Sequence, residues 1–223
     1  MSENKITARV WSGPSGSPNR PVELGSIGVL PWIAAGFLVS LAVTAAILAV
    51  AGAGEPGTAL ALRVTARWCF LLFWPAYAGN ALARFCGAHL AVLARRGREF
   101  GLAFAAALSV HVGLVLWLMY VAAGQRAPML LFWGGVVCTY TLALLSLAPI
   151  RSWLGPRAWR IACEGAMQYI ALVFAVDFIA EPLMANGPDK YPLTYLPFVI
   201  MLLGGAFLRL VGQIPRQRKA EKA

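Results

Sequence analysis

The stretch FGLAFAAALSVHVGLVLWLMYVA, residues Phe100–Ala122, decides the fold class of this chain. It contains no Asp, Glu, Lys or Arg. A helix of that length crosses the ~30 Å hydrocarbon core of a bilayer. Its one imidazole, His111, stands near the middle, where a polar side chain is costly and is usually kept for function. We therefore expect a transmembrane helix that carries a functional histidine.

Five further apolar runs accompany this one along the chain. Lipid offers no hydrogen-bond partner to open backbone groups, so segments this apolar must be helices. We predict an all-α fold, a polytopic membrane helical bundle with about six transmembrane helices. The predicted spans are 27–51, 58–85, 100–122, 128–148, 158–182 and 194–211.

Composition supports a membrane protein and excludes a nucleic-acid-binding one. The chain has 223 residues, of which 60% are hydrophobic and 13% charged, and its mean hydropathy is +0.70. Soluble domains are about a quarter charged. The net charge of +10 comes from Lys and Arg at the ends of the apolar runs, a pattern typical of membrane topology and anionic headgroups. The four cysteines form no C-x-x-C pair, which argues against a zinc site or a disulfide framework.

The positive charges also predict the orientation of the chain. Arginines cluster in every second connection, at 84–98 and 151–160, and again from residue 209 to the end. The positive-inside rule then places both termini in the cytoplasm. We expect residues 1–24 to form a disordered cytoplasmic tail, 25–213 the six-helix transmembrane domain and 214–223 a basic cytoplasmic tail.

Several short motifs together resemble the ferric-reductase-like transmembrane domain family. They are Arg67-Trp68, Trp74-Pro75, the run RRGREFGL at 95–102, the ten-residue step from Gly101 to His111, and LGPRAWR at 154–160. The family includes the haem-binding membrane subunit of the bacterial methionine sulfoxide reductase system, and the resemblance covers about residues 30–185. It implies a protein of the bacterial inner membrane that transfers electrons through b-type haem. It also implies an external redox partner protein, and His111 as a ligand of the haem iron.

The chain departs from the family on the fifth helix. Family members carry two haem histidines there, about thirteen residues apart, whereas this chain has Glu164 and Asp177 at about those positions. The other histidine, His89, stands beside the arginine cluster and is expected in a loop. Glu164 has an alternative role, an ion pair with Arg160 one turn earlier. If the family fold holds, the third and fifth spans face each other across a polar cavity with His111 on its wall and at least one of the carboxylates pointing inward.

Three functions remain open from the sequence. The first is membrane electron transfer through haem b, which would make the chain at most a subunit of a membrane oxidoreductase, since it has no nucleotide-binding fingerprint. The second is a haem-free structural or accessory subunit of a membrane complex, the cofactor having been lost with its ligands. The third, ranked last, is a proton or cation relay through His111, Glu164 and Asp177. Besides a protein partner, the bundle contacts membrane lipids.

Overall fold

The computed structural model describes residues 28–122, 129–147, 151–180 and 192–220, and these contain helices and no strands. This confirms the predicted all-α fold. A 3-10 turn, Ala88–Leu90, precedes α3, and a π-helical turn, Val176–Ala180, follows α6. The helices are α1 (Leu30–Ala51), α2 (Glu55–Cys86), α3 (Ala91–Arg95), α4 (Gly97–Val121), α5 (Met129–Leu147), α6 (Arg151–Ala175) and α7 (Pro192–Ala220).

The length and composition of these helices indicate an integral membrane protein. Within the described residues, five segments are long and apolar enough to cross a bilayer, and they lie in α1, α2, α4, α6 and α7. The fourth predicted span, 128–148, corresponds to α5, whose apolar stretch Leu130–Ser146 is shorter. The described part of the chain thus has five full-length spans and one short apolar helix, where six comparable spans were expected. Helices this apolar lie in contact with membrane lipids.

Contacts between helices define their directions. α1 and α4 begin at the same end of the bundle, because Trp32 packs on Phe100 with ring centroids 5.1 Å apart. α2 and α7 run parallel, since Trp74 Nε1 donates to the Met201 carbonyl at 2.7 Å and Arg84 donates to the Gly212 carbonyl at 3.0 Å. The later half of α2 lies beside the start of α4, and the described part of the chain therefore begins and ends at the same end of the bundle.

The core lies between α2, α4 and α6, and it is aromatic. Phe70 of α2 packs on Phe174 of α6 at 5.2 Å, and Phe104 of α4 packs on the same ring at 6.1 Å. α1 reaches this core through a close helix crossing, in which Gly36 lies against the backbone of Ala103. The outer faces of α1 and α7 expose large apolar side chains, as lipid-facing helices do: Leu38, Leu41, Ile200, Leu203, Phe207 and Leu210.

Three boundaries differ from the predicted ones for local reasons. α6 begins at Arg151 rather than near residue 158, with a break at Gly155, whose φ of 70° is left-handed and suits a glycine. The short α3 lies in a connection that was expected to be only a loop, and it packs on α2 where Gly79 permits close approach to the Leu93 backbone. α7 continues to Ala220, through most of the predicted basic tail 214–223. The predicted tail 1–24 lies outside the described residues.

Candidate intramembrane polar site

His111 points into the bundle, as predicted from the cost of an imidazole facing lipid. Its Nδ1 atom lies 2.8 Å from Oγ1 of Thr65 on the facing helix α2. The Thr65 hydroxyl is fully buried and also lies 2.9 Å from the Ala61 carbonyl oxygen, one turn earlier in α2. The ring of Phe132 on α5 flanks the imidazole, with centroids 6.1 Å apart. Three helices therefore fix the position of this histidine.

A partly open cavity of about 80 Å³ adjoins His111. Three of its lining residues carry strongly polar side chains, namely His111, Thr139 of α5 and Asp177 of the π-helical turn. Asp177 interacts with neighbouring groups as well. The remainder of the lining is apolar apart from the Cys69 thiol: Ala66, Phe104, Leu108, Phe132, Gly135, Val136, Ile170, Val173 and Phe174.

The cavity lies between the third and fifth predicted spans, but its wall is mostly apolar, whereas a polar cavity was expected. Both contribute to its wall, α4 through His111 and the π turn after α6 through Asp177. The rings of Phe104 and Phe174 meet at 6.1 Å beside it. A π-helical turn is wider than an α-helical one and occurs often at functional sites. The structure thus brings His111 and Asp177 to one cavity.

Glu164 is not part of that cavity. It forms an ion pair with Arg209 of α7 and accepts a hydrogen bond from Gln168 at 3.0 Å. The predicted pairing with Arg160 is wrong, because α7 brings Arg209 against this face of α6. The Glu164 side chain is 41% exposed, so it does not occupy an interior haem position. Thirteen residues also separate it by ~20 Å along the helix from Asp177.

The ion pair belongs to a closed polar network, which we call the Arg209 network. Arg209 donates to the Tyr77 carbonyl at 2.8 Å, and its guanidinium lies 4.4 Å from the Tyr77 ring centroid. The Tyr77 hydroxyl donates to Gln168 at 3.1 Å, and Gln168 donates to Glu164. The network links α2, α6 and α7. Its carboxylate and carbonyl acceptors offset the cost of removing the Arg209 guanidinium from water, since that side chain is only 16% exposed.

Sequence reasoning missed the residues that hold these two sites together. The sequence gives no indication that Thr65 and Thr139 belong to a site. A threonine in an apolar helix commonly donates its hydroxyl to a carbonyl of the preceding turn, as both do here. Arg209 was assigned to the topology pattern at the end of the last span, and its partner on α6 becomes apparent only from helix packing.

The residues present do not fit a b-type haem. Such a haem in a membrane bundle takes two axial ligands from facing helices, and the whole sequence has two histidines. The second, His89, is exposed in the 3-10 turn, outside this cavity. A volume of about 80 Å³ is well below the roughly 300–1,000 Å³ of small-molecule and cofactor sites. Among the described residues, no group of three or more His, Cys, Asp or Glu side chains is placed to hold a metal ion.

The chain was compared with family models, with curated proteins and with solved structures. No family model matches the chain, and comparison with the curated proteins and with the solved structures gave no match. The class that fold and composition define is an integral membrane protein built as a helical bundle, with two separate polar sites between its helices.

Proposed function

We propose that this chain is a haem-free integral membrane protein of the ferric-reductase-like type that serves as a structural or accessory subunit of a membrane complex. The proposal rests on positions 164 and 177, which stand at about the places where the family has its two haem histidines. Asp177 lines a small cavity, and Glu164 is bound in the Arg209 network. Neither supplies an imidazole to an iron.

The packing of the interior supports the same proposal. The space between α2, α4 and α6 contains the buried rings of Phe70, Phe73, Phe104 and Phe174. A haem placed there would have to displace several of these rings, with loss of the van der Waals packing that holds membrane helices together. The bundle is therefore packed as a protein core, and we propose that its role lies in assembly within the bacterial inner membrane, with both termini cytoplasmic.

Electron transfer through haem b remains the competing proposal. His111 has the environment of a metal ligand in one respect, since its Nδ1 atom is hydrogen-bonded, which orients the ring. The competing proposal needs a second axial ligand and space for a porphyrin, and the cavity offers neither.

A transmembrane proton relay is supported less well. His111 and Asp177 share a cavity, but the Arg209 network lies elsewhere, at the later half of α2. Between the two sites stand apolar rings, including Phe73 and Phe174, which pack at 5.4 Å. A relay that included Glu164 would need a polar path through this aromatic layer.

Purification from haem-supplied membranes tests the proposal. The protein is extracted in mild detergent, and its haem content and native mass are measured. We expect less haem than protein by a wide margin and a native assembly larger than one chain. Stoichiometric haem would overturn the haem-free assignment, and a monomer in native extracts would overturn the subunit role.

A further inference from the structure

We propose that Arg67, at the place where α2 meets the start of α7, binds the phosphate group of a membrane phospholipid. This goes beyond a structural role for the chain, because it assigns a ligand to a defined site on the surface of the bundle. It rests on the groups around the Arg67 guanidinium, on the level of Arg67 along the membrane-spanning helices, and on the apolar surface beside it.

The Arg67 guanidinium packs against aromatic rings of α7 and forms no ion pair with a carboxylate in the described part of the chain. Its Cζ atom lies 4.8 Å from the centroid of the Tyr195 ring and 5.8 Å from that of Phe198. Its Nη2 atom donates to the Thr194 hydroxyl at 3.4 Å, while its Nε atom is buried and forms no hydrogen bond. Because an unpaired guanidinium in a membrane-spanning helix is costly, Arg67 requires an anion from outside the described chain.

An arginine in this setting has the chemistry to bind a phosphate. A guanidinium has five N–H donors in one plane, and arginine commonly binds phosphate through two parallel N–H···O bonds. Arg67 donates one hydrogen bond to the described residues, so N–H groups remain for phosphate oxygens. Arg67 is half-buried and Thr194 is exposed, so the site opens to the surroundings of the bundle. Arg209, by contrast, is neutralised by Glu164 and needs no external anion.

The contacts of α2 with α7 place Arg67 at the level of the lipid headgroups. Arg67 contacts Thr194, the first residue of the apolar span Thr194–Gly212, and Arg84 contacts Gly212, the last. A helix of 19 residues is ~28 Å long, close to the ~30 Å of the hydrocarbon core. The two arginines therefore mark the two edges of the hydrocarbon where these helices pack, and Arg67 lies at the edge farther from the ends of the chain.

The surface next to Arg67 suits the acyl chain of a lipid. Leu71 stands one turn further along α2, on the same side as Arg67, and it is exposed. It lies in the direction of Arg84, which is toward the centre of the bilayer. A phosphate-binding cation followed by exposed apolar surface matches a phospholipid, whose headgroup continues into a hydrocarbon chain. This arrangement favours a phospholipid over a free phosphate ion.

Native mass spectrometry of the full chain tests the site. The protein is delipidated in detergent and titrated with phosphatidylglycerol, and the dissociation constant of the first bound lipid is measured. We expect Arg67→Gln to raise that constant by about tenfold or more, which corresponds to the loss of one charge-assisted hydrogen bond. A diacylglycerol glycoside, which has no phosphate, should bind the parent protein and the variant equally weakly.

Two further variants separate the site from a general effect of charge. Arg160→Gln removes an exposed arginine of α6, one turn before Glu164, and should leave the dissociation constant of the first lipid unchanged. Arg67→Lys keeps the positive charge but loses the planar set of donors, so its affinity should lie between those of the parent protein and Arg67→Gln. Circular dichroism shows that each variant retains the helical fold.

Inorganic phosphate, titrated in parallel with the unfolding temperature as the readout, distinguishes a lipid from a free anion. We expect phosphatidylglycerol to raise the unfolding temperature of the parent protein more than that of Arg67→Gln, and inorganic phosphate to raise neither. An equal rise with inorganic phosphate would overturn the lipid as the ligand. Equal lipid affinity in the parent protein and in Arg67→Gln, or an equal loss in Arg160→Gln, would overturn the site. Neither readout depends on haem content, so the haem-free assignment is tested separately.

Discussion

The Nδ1 atom of His111 lies 2.8 Å from the Oγ1 atom of Thr65, and this contact joins α4 to α2 in the apolar interior of the bundle. It explains how an imidazole is tolerated at this depth. One ring nitrogen is satisfied by a hydroxyl that is itself fully buried. His111 also lines a small cavity, to whose wall Asp177 contributes.

Thr65→Val should destabilise the protein by about 1–3 kcal/mol, because it leaves the Nδ1 atom of His111 without its hydrogen-bond partner. Thr44→Val is the matched control. The Thr44 hydroxyl is buried and forms no hydrogen bond, so its removal should be neutral or stabilising. Denaturant titration in detergent micelles measures both variants. Equal effects of the two substitutions would show that the contact between Thr65 and His111 contributes nothing.

Glu164→Ala should destabilise the bundle by roughly 1–3 kcal/mol, since it leaves the guanidinium of Arg209 without its carboxylate. The exposure of Glu164 reduces the effect below that of a fully buried pair. In the double variant Glu164→Ala/Arg209→Met the remaining charge is absent, and the total loss should be smaller than the sum of the single losses. Strict additivity in this cycle would contradict the ion pair.

Gly36→Ala should loosen the contact between α1 and α4. The added Cβ would collide with the Ala103 carbonyl, and we expect a cost of about 1–3 kcal/mol. Gly101→Ala is the control on α4, because no atom lies within 4 Å of a Cβ added there. That substitution should be neutral or stabilising by up to about 1 kcal/mol through helix propensity. Thermal unfolding of the two variants in the same detergent tests the difference, and a Gly36→Ala protein as stable as the parent would refute the close crossing.

Both termini should lie on the cytoplasmic side of the membrane. The arginine-rich connections predict this orientation. The helix directions agree with it in placing the start of α1 and the end of α7 at the same end. Reporter fusions at the C-terminus and between residues 184 and 191, ahead of α7, should report opposite sides. Identical sides would rule out the proposed topology.

Apolar run lengths were enough to predict the helical fold, because lipid leaves the backbone no alternative. They were not enough for α5, whose described apolar stretch Leu130–Ser146 is shorter than the predicted span 128–148. The inward position of His111 was predictable from desolvation cost alone. Its partner Thr65 was not, since only the packing of α4 on α2 selects one threonine among several. The partner of Glu164 was mispredicted for the same reason, because Arg209 is 45 residues away in the chain.

We propose above that this helical bundle binds no haem. The most direct measurement is a dithionite-reduced minus oxidised absorption spectrum of the purified protein, recorded before and after hemin is added. His111→Ala serves as the comparison. We expect no haem bands in the isolated protein and the same response to hemin in both proteins. A Soret-region change that appears in the parent protein and is lost in His111→Ala would contradict it.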